Sequence, residues 1–263
     1  MVSKVISAAP IGYEAEIIEV EGDSSKGLPS LQIIAISILI LTNQLKQHEL
    51  KYRAFVGELS LNGDLRPIKG IINIVEKLRS HGIKEIFLPI ENLETSSIID
   101  GVKLIGARNL KDIFLHLKNE KIIKNEENIN TFKDNNDGII LDDIISQEQA
   151  KRALTVAIAG RHNILLTGPP GTGKTMLAQA ALNLLPPLSK SELLEVLKIH
   201  GLVDEINSNI SRPFRTPHHT ASKVSIIGGG SKALPGEISL AHNGVLFLDE
   251  MPEFPKSILE SLR

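Results

Sequence analysis

The sequence contains no cysteine among its 263 residues. This absence excludes disulfide bonds, thiolate metal sites and a cysteine nucleophile. The remaining composition is that of a globular protein, because 42% of the residues are hydrophobic and 23% are charged. The length suits one or two domains, each able to bury a core.

The sequence also lacks a strong excess of either charge and a long hydrophobic run. The net charge of −2 gives no overall basic character for nucleic-acid binding, although a local basic patch is compatible with it. The longest apolar run, residues 33–41, is interrupted by Ser37; it is too short to cross a bilayer and suits a buried helix. No signal-peptide pattern follows Met1. We therefore expect a cytoplasmic protein with no membrane partner.

One stretch matches the phosphate-binding pattern G-x-x-x-x-G-K-[ST], also called the P-loop or Walker A motif. It consists of Gly168, Pro169, Pro170, Gly171, Thr172, Gly173, Lys174 and Thr175. The apolar residues 163–166 before it predict a strand, and residues 176–182 after it predict a helix. An ordinary Gly/Pro turn would not fill every fixed position between such flanks.

This pattern predicts an ATP site with Mg²⁺, to which all eight residues of the stretch contribute. The glycines let backbone N–H groups surround a phosphate, and a helix N-terminus favours negative charge. We expect Lys174 to reach the β- and γ-phosphate oxygens as a catalytic residue, and the Thr175 hydroxyl to ligate Mg²⁺.

A second motif, residues 245–250, places two carboxylates directly after four apolar residues. The pattern indicates a buried parallel strand that ends in acid, typical of a Walker B motif. We expect Asp249 to hold Mg²⁺ and Glu250 to polarise the attacking water as a catalytic residue. Alone, such a strand could merely cap a helix; after a complete phosphate loop, the functional interpretation is favoured.

The chain divides into three segments by composition. Residues 1–117 show strand-like and helix-like patterns and predict a first α/β domain, in which Ile71, Ile74, Val75 and Leu78 share a helix face. Residues 118–138 are rich in Asn, Lys, Glu and Asp and predict a solvated linker. Residues 139–263 predict the ATP-binding domain. It includes a helix capped by Ser146 with Gln149, and another that starts at Ser189 or Ser191.

Four side chains between the two nucleotide motifs have more than one interpretation. His218 and His219 could serve packing, nucleotide contact or a subunit interface; adjacent histidines lack the spacing of a zinc pair on one helix face. Arg212 and Arg215 could contact phosphates of DNA or nucleotide, or pair within the chain. Residues 228–230 are three glycines that predict a turn and not a second phosphate loop.

Together with both nucleotide motifs, residues 211–222 and 235–244 resemble the magnesium-chelatase-like AAA+ ATPases of the YifB/ComM competence-protein family. The resemblance implies an α/β fold, a P-loop AAA+ core with a parallel sheet flanked by helices. It also implies a homo-hexameric ring whose hairpin is inserted into the second helix. ComM-type members are associated with DNA branch migration during natural transformation, so DNA is an expected partner.

Residues 56–63, 66–68 and 82–92 are similar to the proteolytic domain of Lon proteases, a fold related to domain 2 of ribosomal protein S5. That family uses a Ser–Lys dyad. Ile72 stands where its lysine should fall, and no Gly-Pro-Ser-Ala-Gly-like stretch supplies the serine. The resemblance therefore implies a Lon-like domain without protease chemistry.

The sequence departs from the family in three respects. The sensor residues and arginine finger expected after the Walker B motif are not in these 263 residues, which end at Arg263 inside an amphipathic helix. The first domain is shortened between residues 31–33 and 38–40, and Ser146 stands where the family usually has glycine. Two alternatives stay open. A magnesium-chelatase-type motor subunit would use the same ATP site, although the Lon-like first domain argues against it. The two shortened regions also leave open a nucleotide-binding remnant that does not hydrolyse ATP.

Overall fold

The structure is a computed structural model that describes residues 3–11, 13–22, 39, 44–46, 50–124, 138–203, 211–230 and 233–262. The chain forms two compact units, Met1–Thr131 and Phe132–Arg263. Most of the expected linker lies outside the described residues, as does the expected helix over residues 33–41 apart from Leu39. Within the described part of the chain, no helix has the length and apolar character needed to span a membrane.

The first unit is a mixed α/β sheet. Its elements are β1 Ser3–Ile11, β2 Glu14–Gly22, β3 Arg53–Phe55, β4 Glu58–Leu59, β5 Leu65–Arg66, α1 Ile71–Ser80, β6 Glu85–Pro89, α2 Ile90–Ser96, β7 Lys103–Ala107 and α3 Leu110–Leu117. The main sheet has the order β2-β1-β3-β6-β7. Strands β1 and β2 form an antiparallel hairpin, whereas β1, β3, β6 and β7 run parallel.

The core of the first unit contains the buried face of α1 and the stacked aromatic rings of the central strands. Ile71, Ile74, Val75 and Leu78 are all buried, as the helical spacing predicts. Phe55 and Phe87 stack with ring centroids 5.0 Å apart, and the His116 ring meets Phe87 edge-on at 5.4 Å. Burial lowers the pKa of His116, whose Nδ1 accepts a hydrogen bond from the Ile123 N–H at 2.9 Å.

The second unit is helical with short strands. Its elements are α4 Glu148–Ala159, α5 Lys174–Leu184, α6 Lys190–His200, β8 Phe214–Arg215, α7 Lys223–Ile227, β9 Gly228–Gly229, β10 Leu234–Pro235, α8 Glu237–Leu240, β11 Val245–Leu246 and α9 Lys256–Leu259, with 3-10 turns at Leu141–Asp143, Met251–Glu253 and Glu260–Leu262. Strands β8 and β11 pair in parallel, and β9 pairs antiparallel with β10. Helices and parallel strands thus occur in both units, and the predicted α/β class is confirmed.

Two local predictions in the second unit are wrong. Residues 163–166 belong to none of the described strands, and Leu165 is 70% exposed. Apolar sequence alone does not make a strand, because the backbone must also find a paired neighbour. Ser146 does not cap α4: the N-cap is Gln147, which makes no side-chain capping bond. Ser189 does cap α6, in a reciprocal capping box with Glu192.

Candidate nucleotide site

The glycine loop of residues 168–175 has the backbone that an anion cradle requires. Gly171 and Gly173 have φ angles of +77° and +80°, a region that L-residues with a Cβ avoid. A Cβ at either position would meet no atom within 4 Å, so space is left above the loop. Gly173 is the N-cap of α5 and makes no side-chain capping bond, and the first turn carries no acidic residue. The first N–H groups of α5 are therefore suited to an external anion.

Lys174 folds back over this loop. Its Nζ donates hydrogen bonds to the carbonyl oxygens of Gly168 and Pro169 at 3.0 and 2.9 Å. The Thr172 hydroxyl donates to the same Pro169 oxygen at 3.0 Å. The ammonium group is thus held at the centre of the loop by weakly charged acceptors, which negatively charged phosphate oxygens would outcompete.

A second segment supports the loop from the side of α4. The Gln147 amide donates a hydrogen bond to the Thr172 carbonyl. Ser146 and Gln147 are both in the left-handed region, with φ angles of +65° and +68°. Two consecutive non-glycine residues in this region are uncommon, and such backbones concentrate at functional sites. Sequence reasoning missed this contact, because the two residues lie 25 positions apart.

The acidic pair follows β11 after Phe247 and Leu248. The prediction of a buried strand that ends directly in acid is wrong, because β11 covers only two residues and both are half-buried. Val245 packs on the same hydrophobic cluster as Leu177 and Ala180 of α5, so the strand leading to the acids runs beside the helix that begins at Lys174. Asp249 and Glu250 are exposed, and Asp249 Oδ1 accepts a hydrogen bond from the Glu250 N–H at 3.0 Å.

His219 approaches the acidic pair. Its Nδ1 lies 3.7 Å from Glu250 Oε2, and its ring stands edge-on to Phe254 with centroids 6.4 Å apart. Because β8 and β11 are parallel neighbours, residues that follow the two strands meet at one edge. Sequence reasoning missed this contact, because it depends on the pairing of two strands that are distant in the chain.

His218 is held locally. Its Nδ1 accepts from the Thr220 N–H at 3.3 Å and lies 2.7 Å from the Thr220 hydroxyl. Among the described residues, no group of three or more His, Asp or Glu side chains could hold a metal ion, so nothing there supports a zinc site.

Arg212 and Arg215 pair within the chain. The buried Arg212 guanidinium donates to the carbonyl oxygens of Pro186 and Asn243, each at 2.6 Å, and its Nη2 lies 3.3 Å from Glu192 Oε2. Arg215 makes a two-pronged bond to the Glu237 carboxylate at 2.6 and 2.9 Å. Of the two open interpretations, these contacts favour intrachain pairing over phosphate binding.

The glycine loop and the acidic pair supply the chemical groups that ATP with Mg²⁺ requires. Mg²⁺ is usually bound by one or two protein oxygen ligands together with substrate phosphates and water, so a cluster of three carboxylates is not required. Thr175 and Asp249 are exposed and supply a hydroxyl and a carboxylate. The open glycine loop and the uncapped start of α5 supply the N–H donors that phosphate oxygens need.

The first unit buries the residue that stands where the Lon resemblance expects a lysine. Ile72, at the position expected for the lysine, lies in α1 and is only 1% exposed. A charged amine at a buried position without a partner is costly. The position belongs to the hydrophobic core of this unit.

Comparisons with known proteins identify the family of the chain. A family model described as magnesium chelatase, subunit ChlI, matches residues 140–263, and a second, described as subunit ChlI of Mg-chelatase, matches residues 20–92. Competence protein ComM of Haemophilus influenzae is 43% identical, over 88% of this chain and 46% of its own length. Protein YifB of Escherichia coli is 41% identical with the same two coverages.

A shorter match relates part of the chain to another protein. An archaeal Lon protease of Methanothermobacter thermautotrophicus is 40% identical over 26% of this chain and 10% of its own length. The chain spans about half the length of ComM and YifB, the curated relatives it matches over both units. With two family models and both relatives in agreement, the chain belongs to the YifB/ComM family of magnesium-chelatase-like proteins.

Proposed function

We propose that this chain binds ATP with Mg²⁺ at residues 168–175 and Asp249, and that the complete protein hydrolyses it as an AAA+ ATPase. The observation that carries the proposal is the open glycine loop, in which Lys174 bonds to the loop's own carbonyls beside an uncapped helix start. Membership of a magnesium-chelatase-like family supports it.

Each side chain has a defined role in this proposal. Lys174 exchanges the Gly168 and Pro169 carbonyls for the β- and γ-phosphate oxygens. Thr175 and Asp249 hold Mg²⁺, which neutralises charge on the phosphates when bound. Glu250 orients and polarises the attacking water, and His219 Nδ1 lies 3.7 Å from Glu250 Oε2.

We further propose that the complete protein is a homo-hexameric, cytoplasmic motor that acts on branched DNA. The support is similarity to a competence protein over both units. A charge-stabilising arginine from a neighbouring subunit would complete such a site.

The test is binding of a fluorescent ATP analogue to this chain in the presence of Mg²⁺. Lys174→Ala removes two charge-assisted contacts to the phosphates and should weaken binding about a hundredfold or more. Lys223→Ala, which removes an exposed lysine of α7, should leave binding unchanged. Equal binding by Lys174→Ala and the unmodified chain would refute the site.

Hydrolysis is tested in the full-length protein. Glu250→Gln should keep nucleotide binding and lose turnover, because the amide cannot accept a proton from water. Stimulation of turnover by branched DNA would support the motor. A chelatase subunit, favoured by the description of the matching family, would instead couple turnover to Mg²⁺ insertion into a porphyrin. A nucleotide-binding remnant would bind ATP without turnover.

A further inference from the structure

The parallel strands of the first unit bring three segments together at one end of the sheet. Arg53 of β3 pairs in register with Glu85 of β6, and Glu85 pairs with Lys103 of β7. Each of these residues begins its strand. The segments that lead into the strands therefore meet at the same edge, which we call the amino edge: residues 51–53, 79–85 and 100–103.

The amino edge is basic, although the whole chain is slightly acidic. It carries five cations, at Lys51, Arg53, Arg79, Lys84 and Lys103, against two carboxylates, at Glu85 and Asp100. Glu85 is buried and lies between Arg53 at 2.5 Å and Lys103 at 2.7 Å. The other cations reach solvent at this edge, and even the paired Lys103 side chain is 66% exposed.

An exposed aromatic ring lies among these cations. Tyr52 is 47% exposed, and its ring centroid lies 5.1 Å from Lys51 Nζ and 5.2 Å from Lys84 Nζ. Its φ angle of +64° is rare for a bulky residue. The Tyr52 carbonyl accepts from the N–H groups of Lys84 and Glu85 at 2.9 and 3.2 Å, which holds this backbone in place. Backbone strain that fixes an exposed ring is typical of a functional position.

We propose that the amino edge binds single-stranded nucleic acid. One base stacks on the Tyr52 ring, and Lys51 and Lys84 pair with the phosphates on either side of it. An exposed aromatic ring flanked by cations is the combination by which proteins hold single strands without reading sequence. The exposed cation–π contacts give way readily, because each is weaker than stacking of a base on the ring. This site is independent of the ATP site.

The test uses tyrosine fluorescence, since the chain has two tyrosines and no tryptophan. In the Tyr13→Phe variant Tyr52 is the sole tyrosine. Oligothymidylate should quench its fluorescence, whereas an abasic oligodeoxynucleotide of the same length should not. The readout follows the Tyr52 ring itself, so binding elsewhere on the chain does not disturb it. Absence of quenching by oligothymidylate, or equal quenching by both probes, would overturn the proposal.

Affinity measurements on matched variants test the proposed contacts one at a time. Tyr52→Asn keeps a residue that tolerates a left-handed backbone and should weaken oligothymidylate binding about fivefold to a hundredfold, whereas Tyr52→Phe should bind normally.

Lys84→Glu should weaken binding and flatten its dependence on salt by about one phosphate contact. Lys111→Glu makes the same charge change on α3, beyond the carboxyl end of β7, and should have a much smaller effect. Equal losses for Lys84→Glu and Lys111→Glu would show a general charge effect and refute the site.

Discussion

Ser146 holds a backbone conformation that suits glycine. Its φ angle of +65° places the Cβ close to the following carbonyl, which costs about 1–2 kcal/mol for an L-residue. We predict that Ser146→Gly raises the free energy of unfolding of the second unit by about 1 kcal/mol, after the greater chain entropy of glycine is subtracted. Calorimetric unfolding measures this, and Ser146→Ala, which keeps the Cβ, should not stabilise.

Two arginines that reach Glu192 should differ strongly in their importance. Arg212 is buried and bonds to two carbonyls besides Glu192, whereas the Arg161 side chain is 82% exposed and its Nη2 lies 3.9 Å from Glu192 Oε1. Arg212→Met should destabilise the second unit by about 3 kcal/mol, because the hydrogen bonds donated by a buried charged group are lost and Glu192 loses its partner. Arg161→Ala should cost about 0.5 kcal/mol or less. Similar losses in calorimetry would contradict this account.

Strands β3, β6 and β7 share one carboxylate whose ionisation stabilises them. Burial alone would raise the pKa of Glu85, but hydrogen bonds from Lys103 and Arg53 and their charges outweigh it and lower that pKa from its usual range. A lowered pKa in the folded state gives stability that is complete above the unfolded value. That stability is lost as the pH falls through the folded value. The first unit should therefore lose stability in acid below about pH 4.5.

The variant Glu85→Gln tests whether Glu85 causes the loss of stability in acid. The variant should lose about 1 kcal/mol at neutral pH and show a shallower loss of stability in acid, because the neutral amide does not titrate. Both tyrosines, Tyr13 and Tyr52, lie in the first unit, so tyrosine fluorescence follows its unfolding. If the stability of the variant and of the unmodified chain fell equally with pH, Glu85 would be excluded as the source of the acid sensitivity.

The sequence predicted elements well where the signal was local. The capping box of α6 is contained within Ser189 and Glu192, and the buried face of α1 follows from helical spacing alone. Prediction from sequence failed at the start of α4, where the Gln147 side chain bonds to the distant Thr172 carbonyl. It also failed at residues 163–166, since a strand depends on a partner elsewhere in the chain.

At the scale of the whole molecule, local parts of the candidate site could likewise be predicted from sequence, whereas contacts between distant segments could not. The glycine loop is one contiguous motif, so its residues could be predicted from sequence. The approach of His219 to Glu250 joins residues 31 positions apart, and only the parallel pairing of β8 and β11 explains it. The net charge of −2 likewise concealed the amino edge, because charge balance over a chain does not report where the cations gather.

The unpaired segment before the glycine loop has a consequence for handling the protein. Leu165 is 70% exposed and Ile164 is 38% exposed, in a stretch without charge or proline. Short apolar segments of this kind recruit other chains through intermolecular β-pairing. We expect this polypeptide to aggregate at high concentration, and Leu165→Lys to raise the solubility measured by light scattering. The residues that precede the nucleotide site would then also set the concentration at which the protein can be studied.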